Sequence, residues 1–190
     1  TFITNNVNGL LWRLMHGALY ERTAGKGYAP HAYERITPCS DHLHFAGKNW
    51  QEGWGKSRGG KGEAGRLGGG HSHCGGMIYL GDNWPESYRN TVFLHNTHGR
   101  RINNDALHRK GSGYTATHRK DFLISKDPWF MGVSFRTGPS GAVFVTDWSD
   151  TGECHSTRNT RKHTGRIFRI SMDGQWELVT EYDGWPNGLK

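Results

Sequence analysis

The fold is decided most clearly by the stretch Gly138-Pro-Ser-Gly-Ala-Val-Phe-Val-Thr-Asp147. Its first four residues predict a turn, and residues 142–146 alternate in the manner of a β-strand. The run Gly165-Arg-Ile-Phe-Arg-Ile170 follows and is expected to return beside that strand. This part of the chain therefore predicts an antiparallel strand pair.

The same pattern occurs three times. A β-forming run that ends in a polar residue recurs at Phe2-Ile-Thr-Asn5, Phe93-Leu-His-Asn96 and Phe144-Val-Thr-Asp147, and second strands are predicted at residues 10–15, 100–107 and 166–171. The last two copies lie 51 residues apart, near the spacing of a four-stranded propeller blade. The first two lie 91 residues apart, which leaves room for an insertion.

We therefore predict an all-β fold, a partial β-propeller of about two to three four-stranded blades with a Gly-rich loop insertion. Little helical periodicity and the aromatic content of 8 Trp, 7 Tyr and 8 Phe agree with this class. The predicted units are a partial blade at 1–15, the insertion at 16–70, and blades at 71–126 and 132–182. Because nine glycines fall within residues 53–70, we expect residues 53–67 to lack regular structure.

Composition narrows the classes of partner. The formal charge of +7 comes from scattered Lys and Arg residues, which favours a solvated basic face over a nucleic-acid site. Three cysteines match no disulfide framework and no haem attachment site. No apolar stretch approaches the roughly 20 residues of a membrane helix. Since the first residues already resemble the middle of a strand, we expect the chain to be a fragment of a longer protein. Any targeting or membrane-anchoring segment is expected to lie outside it.

His73 is the strongest candidate for chemistry. It stands beside Gly75 and Gly76 at the start of a short apolar strand, where glycines let another molecule approach the backbone closely. A base held on a rigid strand is one interpretation of this pattern. The other is a glycine loop whose histidines are exposed or bonded to backbone.

Two clusters could bind a metal. One joins His71, His73 and Cys74 with Asp82, and the other contains Asp147, Asp150 and Glu153 near Cys154 and His155. Neither has a spacing that specifies zinc, copper or calcium. The acidic cluster is better interpreted as a turn in which Asp147 and Asp150 accept backbone N–H bonds and Trp148 packs beneath the loop.

Long motifs in the chain resemble a known family. The run His73-Cys-Gly-Gly-Met-Ile-Tyr-Leu-Gly81 is similar to the strand entry of soluble quinoprotein sugar dehydrogenases, the six-bladed glucose and sorbosone dehydrogenase propellers. More closely, the chain resembles the planctomycete-type membrane-bound dehydrogenase propeller domain, and the resemblance implies that its blades belong to a six-bladed propeller. The motifs that carry this likeness are residues 68–85, 98–103, 110–114, 127–130 and 146–155.

The resemblance implies an activity. It suggests a quinoprotein-like oxidoreductase that oxidises a sugar or alcohol, with His73 as general base and with pyrroloquinoline quinone and calcium as cofactors. Cofactor-binding positions implied by the likeness are Arg100, Arg101, His71, Gly75, Gly76, Asp147 and Trp148. Arg119 is a further candidate for the cofactor's carboxylates. The family's arginine motif is only loosely matched by His98-Gly99-Arg100.

The same resemblance implies a periplasmic or secreted protein that passes electrons to a cytochrome c domain or another acceptor outside this chain. An alternative function stays open, a non-catalytic β-propeller that binds carbohydrate or protein, because a fold alone does not specify a function.

Overall fold

A computed structural model describes residues 1–4, 11–20, 36–39, 65–66, 68–70, 72–151, 164–170 and 176–182 of the chain. These residues form eleven strands in three antiparallel sheets. Helical backbone among them is limited to a short 3-10 helix at Glu86–Tyr88 and to Gly65 and Arg66. The all-β prediction is confirmed.

Each sheet is built from strands that are close in sequence. The first sheet pairs β1 (Phe2–Thr4) with β2 (Leu11–Arg13). The second contains β3 (His73–Ile78), β4 (Thr91–Asn96), β5 (Arg101–Lys110) and β6 (Gly113–His118) in chain order, with the short β7 (Leu123–Ile124) added to β5. The third contains β8 (Gly132–Thr137), β9 (Val143–Asp147), β10 (Gly165–Ile170) and β11 (Trp176–Tyr182), also in chain order.

The strand pairs predicted from the recurring pattern are present. The strand that contains Phe2, Phe93 or Phe144 pairs antiparallel with the next strand in the chain in every case. The predicted turn before β9 also forms, with a hydrogen bond of 2.8 Å from Gly138 N to Ala142 O. The second and third sheets cover residues 73–124 and 132–182. Closure into a six-bladed propeller, and the number of blades, stay predictions.

The predicted insertion lies mostly outside the described residues. Within residues 53–67 only Gly65 and Arg66 are described, and both are helical, where the sequence predicted irregular backbone. A hydrogen bond of 3.0 Å from Gly68 N to Gly65 O closes this turn.

Earlier in the chain, Cys39 connects the first sheet to the second. Its N–H donates to Leu11 O of β2 and its carbonyl accepts from Ala116 N of β6, both at 2.7 Å.

β4 is buried on both faces because it lies between two layers. All six of its residues are buried. Phe93 belongs to the larger apolar cluster, which joins the second and third sheets, whereas Val92 and Leu94 pack with Leu11 of the first sheet. Successive side chains of a strand point to opposite faces, so a continuous apolar run at this position buries both sides.

His95 lies at the junction of the second and third sheets. Its ring stacks on Phe135 of β8, with ring centroids 3.9 Å apart and planes 9° from parallel. Neither ring nitrogen makes a hydrogen bond of normal geometry among the described residues, although the nearby backbone of Ser134 acts to raise the pKa of the ring. Burial lowers the pKa of His95 from 6.5 to about 3, since an imidazolium would have no solvation here.

Glycine at position 132 is required by this contact. A Cβ on Gly132 would collide with the imidazole ring of His95. We expect Gly132→Ala to lower the free energy of unfolding by about 1–3 kcal/mol, because a packed junction cannot absorb an added methyl group without moving. Urea unfolding followed by tryptophan fluorescence measures the change. Gly113→Ala is the matched control, since the nearest atom to a Cβ there is Lys110 O at 3.6 Å. Equal stability of the two variants would show that the junction is loose.

The low pKa of His95 has a consequence for acid stability. Its folded-state pKa of about 3 lies below the ordinary 6.5, so the unfolded chain takes up the proton first. Stability from this residue is complete above pH 6.5 and is lost as the pH falls towards 3, by at most about 1.4 kcal/mol per pH unit. We expect His95→Leu to flatten the pH dependence of unfolding between these values. A control variant at the exposed His108, His108→Gln, should keep it. An unchanged slope in His95→Leu would contradict the assignment.

Candidate functional site

A group of three buried polar side chains surrounds the carbonyl oxygen of Gly68. His73 Nε2 lies 2.8 Å from this oxygen and Asn103 Nδ2 lies 2.7 Å from it. Asn96 Nδ2 donates to Gly69 O at 2.8 Å and lies 3.5 Å from Gly68 O. We refer to His73, Asn96, Asn103 and the two carbonyls as the Gly68 cluster.

Strand register explains why these side chains meet. His73 of β3 lies opposite Asn96 of β4, and Asn103 of β5 lies opposite Leu94. Side chains that are opposite each other, or two apart along a strand, share a face of the sheet. The three polar residues therefore point to the same side, and all three are fully buried.

Residues 68–70 cover this face, and we call them the Gly68–Gly70 strap. Gly68 has a φ of +80°, in the left-handed region that favours glycine. A Cβ at Gly68 would stand 2.9 Å from both Asn103 Nδ2 and His118 Nδ1, and a Cβ at Gly70 would collide with the amide of Asn96. Close approach of the strap to the cluster thus requires glycine at both positions.

The contact with Gly68 fixes the state of His73. A carbonyl oxygen only accepts hydrogen bonds, so Nε2 of His73 carries the proton and donates it. His73 is 0 % exposed. The alternative in which a histidine of this segment bonds to backbone is therefore what the structure shows.

A chain of ionisable side chains runs beside the cluster. His118 Nδ1 lies 3.2 Å from Asp105 Oδ1, and His118 Nε2 lies 3.4 Å from Asp121 Oδ1. Asp121 Oδ2 pairs with Arg101 Nη1 at 2.8 Å. Burial raises the pKa of Asp121, although Arg101 and His118 act in the opposite direction.

The sequence did not single out Asn103, Asp105, His118 or Asp121. A signal was present, because Arg101, Asn103 and Asp105 alternate along β5 and so share one face. The strand was predicted, but its alternating polar residues were not interpreted as part of a site. A polar face is ordinarily exposed to solvent, and the sequence does not show that the Gly68–Gly70 strap covers this one.

The turn after β9 has the structure expected from the acidic cluster. Asp147 Oδ1 accepts N–H bonds from Met131 at 2.6 Å and Ser149 at 2.9 Å, and Asp150 Oδ1 accepts one from Thr151 at 2.6 Å. The interpretation as an ordered turn is confirmed for both aspartates.

Arg166 completes the partners of Asp147. It pairs with Asp147 Oδ2 and with Asp127 Oδ2, both at 2.6 Å. Burial alone would raise the pKa of the Asp127 carboxyl, but the N–H of Trp129 and the guanidinium of Arg166 outweigh this effect and lower it. Trp148 is half-buried beside this turn.

The predicted arginines have protein partners. Arg101 is paired with Asp121, and Arg100 Nε donates to Pro128 O at 2.6 Å. Arg119 Nη1 donates to Ser87 O at 2.7 Å. Arg101 nevertheless lies in the same row as His73, because Asn96 is opposite both of them in the sheet.

Gly75 and Gly76 have a packing role. Gly75 has a φ of +61°, and the β3–β4 register shifts between Cys74 and Met77. A Cβ on Gly75 would collide with the backbone of Val133 in the third sheet, and one on Gly76 with Thr4 in the first. The close approach for which these glycines make room is the approach of neighbouring sheets.

The second and third sheets meet near His73. Cys74 Sγ and Thr97 Oγ1 lie 3.6 Å and 3.1 Å from Gly132 O, and Gly132 is opposite Asp147 in its own sheet. The strand that begins at His73 and the Asp147 turn are thus brought to neighbouring positions. Burial raises the pKa of Cys74 to about 11, so this residue is a thiol at neutral pH.

Some candidates lie outside the described residues, namely His71, Glu153, Cys154 and His155. Among the residues that are described, no group of three or more His, Cys, Asp or Glu side chains is arranged to hold a metal ion. In the same part of the chain, no helix has the length and apolar character needed to span a membrane.

Comparison with known protein families identifies a family for this chain. A family model described as a domain of unknown function, DUF7133, matches residues 1–174. No curated protein and no solved structure matches the chain.

Proposed function

The chain belongs to the DUF7133 family, a domain of unknown function, and from its Gly68 cluster we propose an oxidoreductase domain that binds a sugar or alcohol hydroxyl, with His73 as general base. In this proposal, the fold is part of a β-propeller. The resemblance of the sequence further suggests a periplasmic or secreted location and electron transfer to a cytochrome c domain or another acceptor.

One observation supports this proposal above the others. The Gly68 oxygen stands 2.8 Å from His73 Nε2, so a substrate hydroxyl that replaced this oxygen would lie within proton-transfer distance of the imidazole. Because Nε2 carries the proton while it is bonded to Gly68 O, His73 acts as base only once that oxygen has been replaced and the neutral imidazole carries its proton on Nδ1 instead. Asn103 Nδ2 donates to the same oxygen and would orient a hydroxyl in that place. Histidine is the side chain that most often transfers protons near neutral pH.

Pyrroloquinoline quinone does not fit the described residues by themselves. A cofactor with three carboxylates needs fixed cations, whereas Arg101 is paired with Asp121 and Arg119 Nη1 is bonded to Ser87 O. Of these three candidate arginines, Arg100 is the one whose Nη atoms make no hydrogen bond among the described residues, since only its Nε donates, to Pro128 O. Asp147, proposed for cofactor or calcium, already accepts bonds from Arg166 and two N–H groups. We therefore derive only hydroxyl binding and proton transfer.

A specific observation favours a second candidate, a non-catalytic domain that binds carbohydrate or protein. His73 is closed off by the Gly68–Gly70 strap, and the charge of Arg101 is neutralised by Asp121. A protein that had kept this scaffold and lost its cofactor would have the same features.

The test uses His73→Gln in the full chain. The glutamine amide can reach Gly68 O and donate to it, but it cannot accept a proton at neutral pH. We expect turnover to fall by about 100-fold or more, as when a general base is removed, with the melting temperature nearly unchanged. Turnover is measured as reduction of an artificial electron acceptor by a panel of sugars and alcohols, with pyrroloquinoline quinone and Ca²⁺ supplied.

His108→Gln is the control, because His108 is exposed and far along β5 from the cluster. Wild-type turnover in His73→Gln would exclude His73 as the base. If the unmodified chain oxidises nothing but binds a sugar in calorimetry, the second candidate is correct.

A further inference from the structure

Only one of the two polar atoms of the buried Asn103 amide makes a hydrogen bond among the described residues. Its Nδ2 donates to Gly68 O at 2.7 Å. Its Oδ1 is buried and has no hydrogen-bond donor among the described residues. Buried amide oxygens are nearly always paired, so this atom indicates that the cluster is built for a partner other than the one that occupies it.

The present partner is the strap, and the cluster side chains contact it through its carbonyl oxygens. Gly68 O and Gly69 O receive the bonds of His73, Asn96 and Asn103. Hydroxyl groups both accept and donate, so one hydroxyl could receive the Nδ2 bond of Asn103 while a neighbouring hydroxyl donates to Oδ1. The chemistry of the cluster therefore matches a hydroxyl better than a carbonyl.

The ligand class follows from the number and charge of the groups. Asn96 Nδ2 lies within 3.5 Å of both strap oxygens, which therefore mark two neighbouring oxygen positions. The nearby carboxylates already have partners, because Asp121 is paired with Arg101 and Asp105 Oδ1 lies 3.2 Å from His118 Nδ1. A neutral compound with hydroxyls on adjacent carbons, a polyol or sugar, has this pattern.

The composition and contacts of the Gly68–Gly70 strap favour its displacement from the cluster. Its three residues are all glycine, so no side chain anchors it to the cluster. Its bonds to the cluster are made by two carbonyl oxygens, which ligand hydroxyls could replace one for one. Glycine also has access to alternative backbone conformations at little steric cost.

We propose that Asn96, Asn103 and His73 form a binding site for adjacent hydroxyls of a neutral polyol, and that the Gly68–Gly70 strap occupies this site as a mimic of the ligand. The strap must be displaced before a ligand enters. This inference rests on the site of the proposed function, but it does not require that the bound hydroxyl be oxidised.

The first experiment weakens the strap and leaves the side chains of His73, Asn96 and Asn103 unsubstituted. In Gly68→Ala, the positive φ of +80° becomes strained and the new Cβ approaches Asn103 and His118. We expect the variant to bind D-glucose and D-sorbitol about tenfold more tightly than the unmodified chain, because less of the protein is in the closed state. Binding is measured by calorimetry without any electron acceptor.

Gly111→Ala is the matched control. It has a similar φ of +57°, and a Cβ there meets nothing within 4 Å, so it reproduces the backbone strain far from the strap. Its affinity for both probes should equal that of the unmodified chain. Asn103→Ala should weaken binding by about tenfold or more, since it removes a donor and the orphaned acceptor. Equal affinities in Gly68→Ala and Gly111→Ala, or unchanged binding in Asn103→Ala, would overturn the inference.

A second experiment needs no substitution and decides the matter if Gly68→Ala fails to fold. Ser72 O, just beyond the strap, accepts a hydrogen bond from Thr97 N at 2.9 Å. With D-glucose at saturation, amide hydrogen exchange should increase at Thr97 and in the peptide that contains the strap. Unchanged or slower exchange there, or no binding of either probe, contradicts the inference.

The two proposals fail in different ways. Polyol binding without oxidation removes the proposed oxidoreductase function and leaves the strap inference intact. Oxidation of a substrate that shows no competition with D-glucose or D-sorbitol removes the strap inference alone.

Discussion

The hydrogen bonds that converge on the carbonyl oxygen of Gly68 set the arrangement of one end of the second sheet. His73, Asn103 and Asn96 come from three adjacent strands, and all are buried. Burying three such groups is unfavourable unless each finds a partner. The sheet end and the strap therefore depend on each other, and the glycines are needed because a side chain would separate them.

The second and third sheets have corresponding rows of residues that make different contacts. In the second sheet, His73, Asn96 and Arg101 lie opposite one another across β3, β4 and β5. In the third sheet, the corresponding residues across β8, β9 and β10 are Gly132, Asp147 and Arg166. In the third sheet the Asp147 carboxylate binds the arginine opposite it and also accepts two backbone N–H bonds. In the second sheet Arg101 turns to Asp121, so the Asn96 amide can reach the strap. Only the second row thus offers a site.

Much of the fold could be predicted from the sequence, because the signals are local. Period-two alternation and the Gly-Pro-Ser-Gly turn identified the strand pairs around Phe93 and Phe144, and the Asp147 turn was also recognised. The candidate site was only partly predictable. His73 was identified, but Asn103 and His118 acquire their roles from a strap 35 residues from Asn103 in sequence. Likewise Gly75 and Gly76 make room for neighbouring sheets, a contact that no local pattern encodes.

The central claim is that His73 donates its Nε2 proton to the Gly68 carbonyl and is thereby held in a closed polar site. Nitrogen-15 NMR of the full chain labelled at histidine tests it most directly, with His73→Gln to assign the signal. We expect a neutral His73 that is protonated at Nε2, with a proton that exchanges slowly with water. A proton on Nδ1, or rapid exchange of the Nε2 proton in the absence of ligand, would contradict the claim.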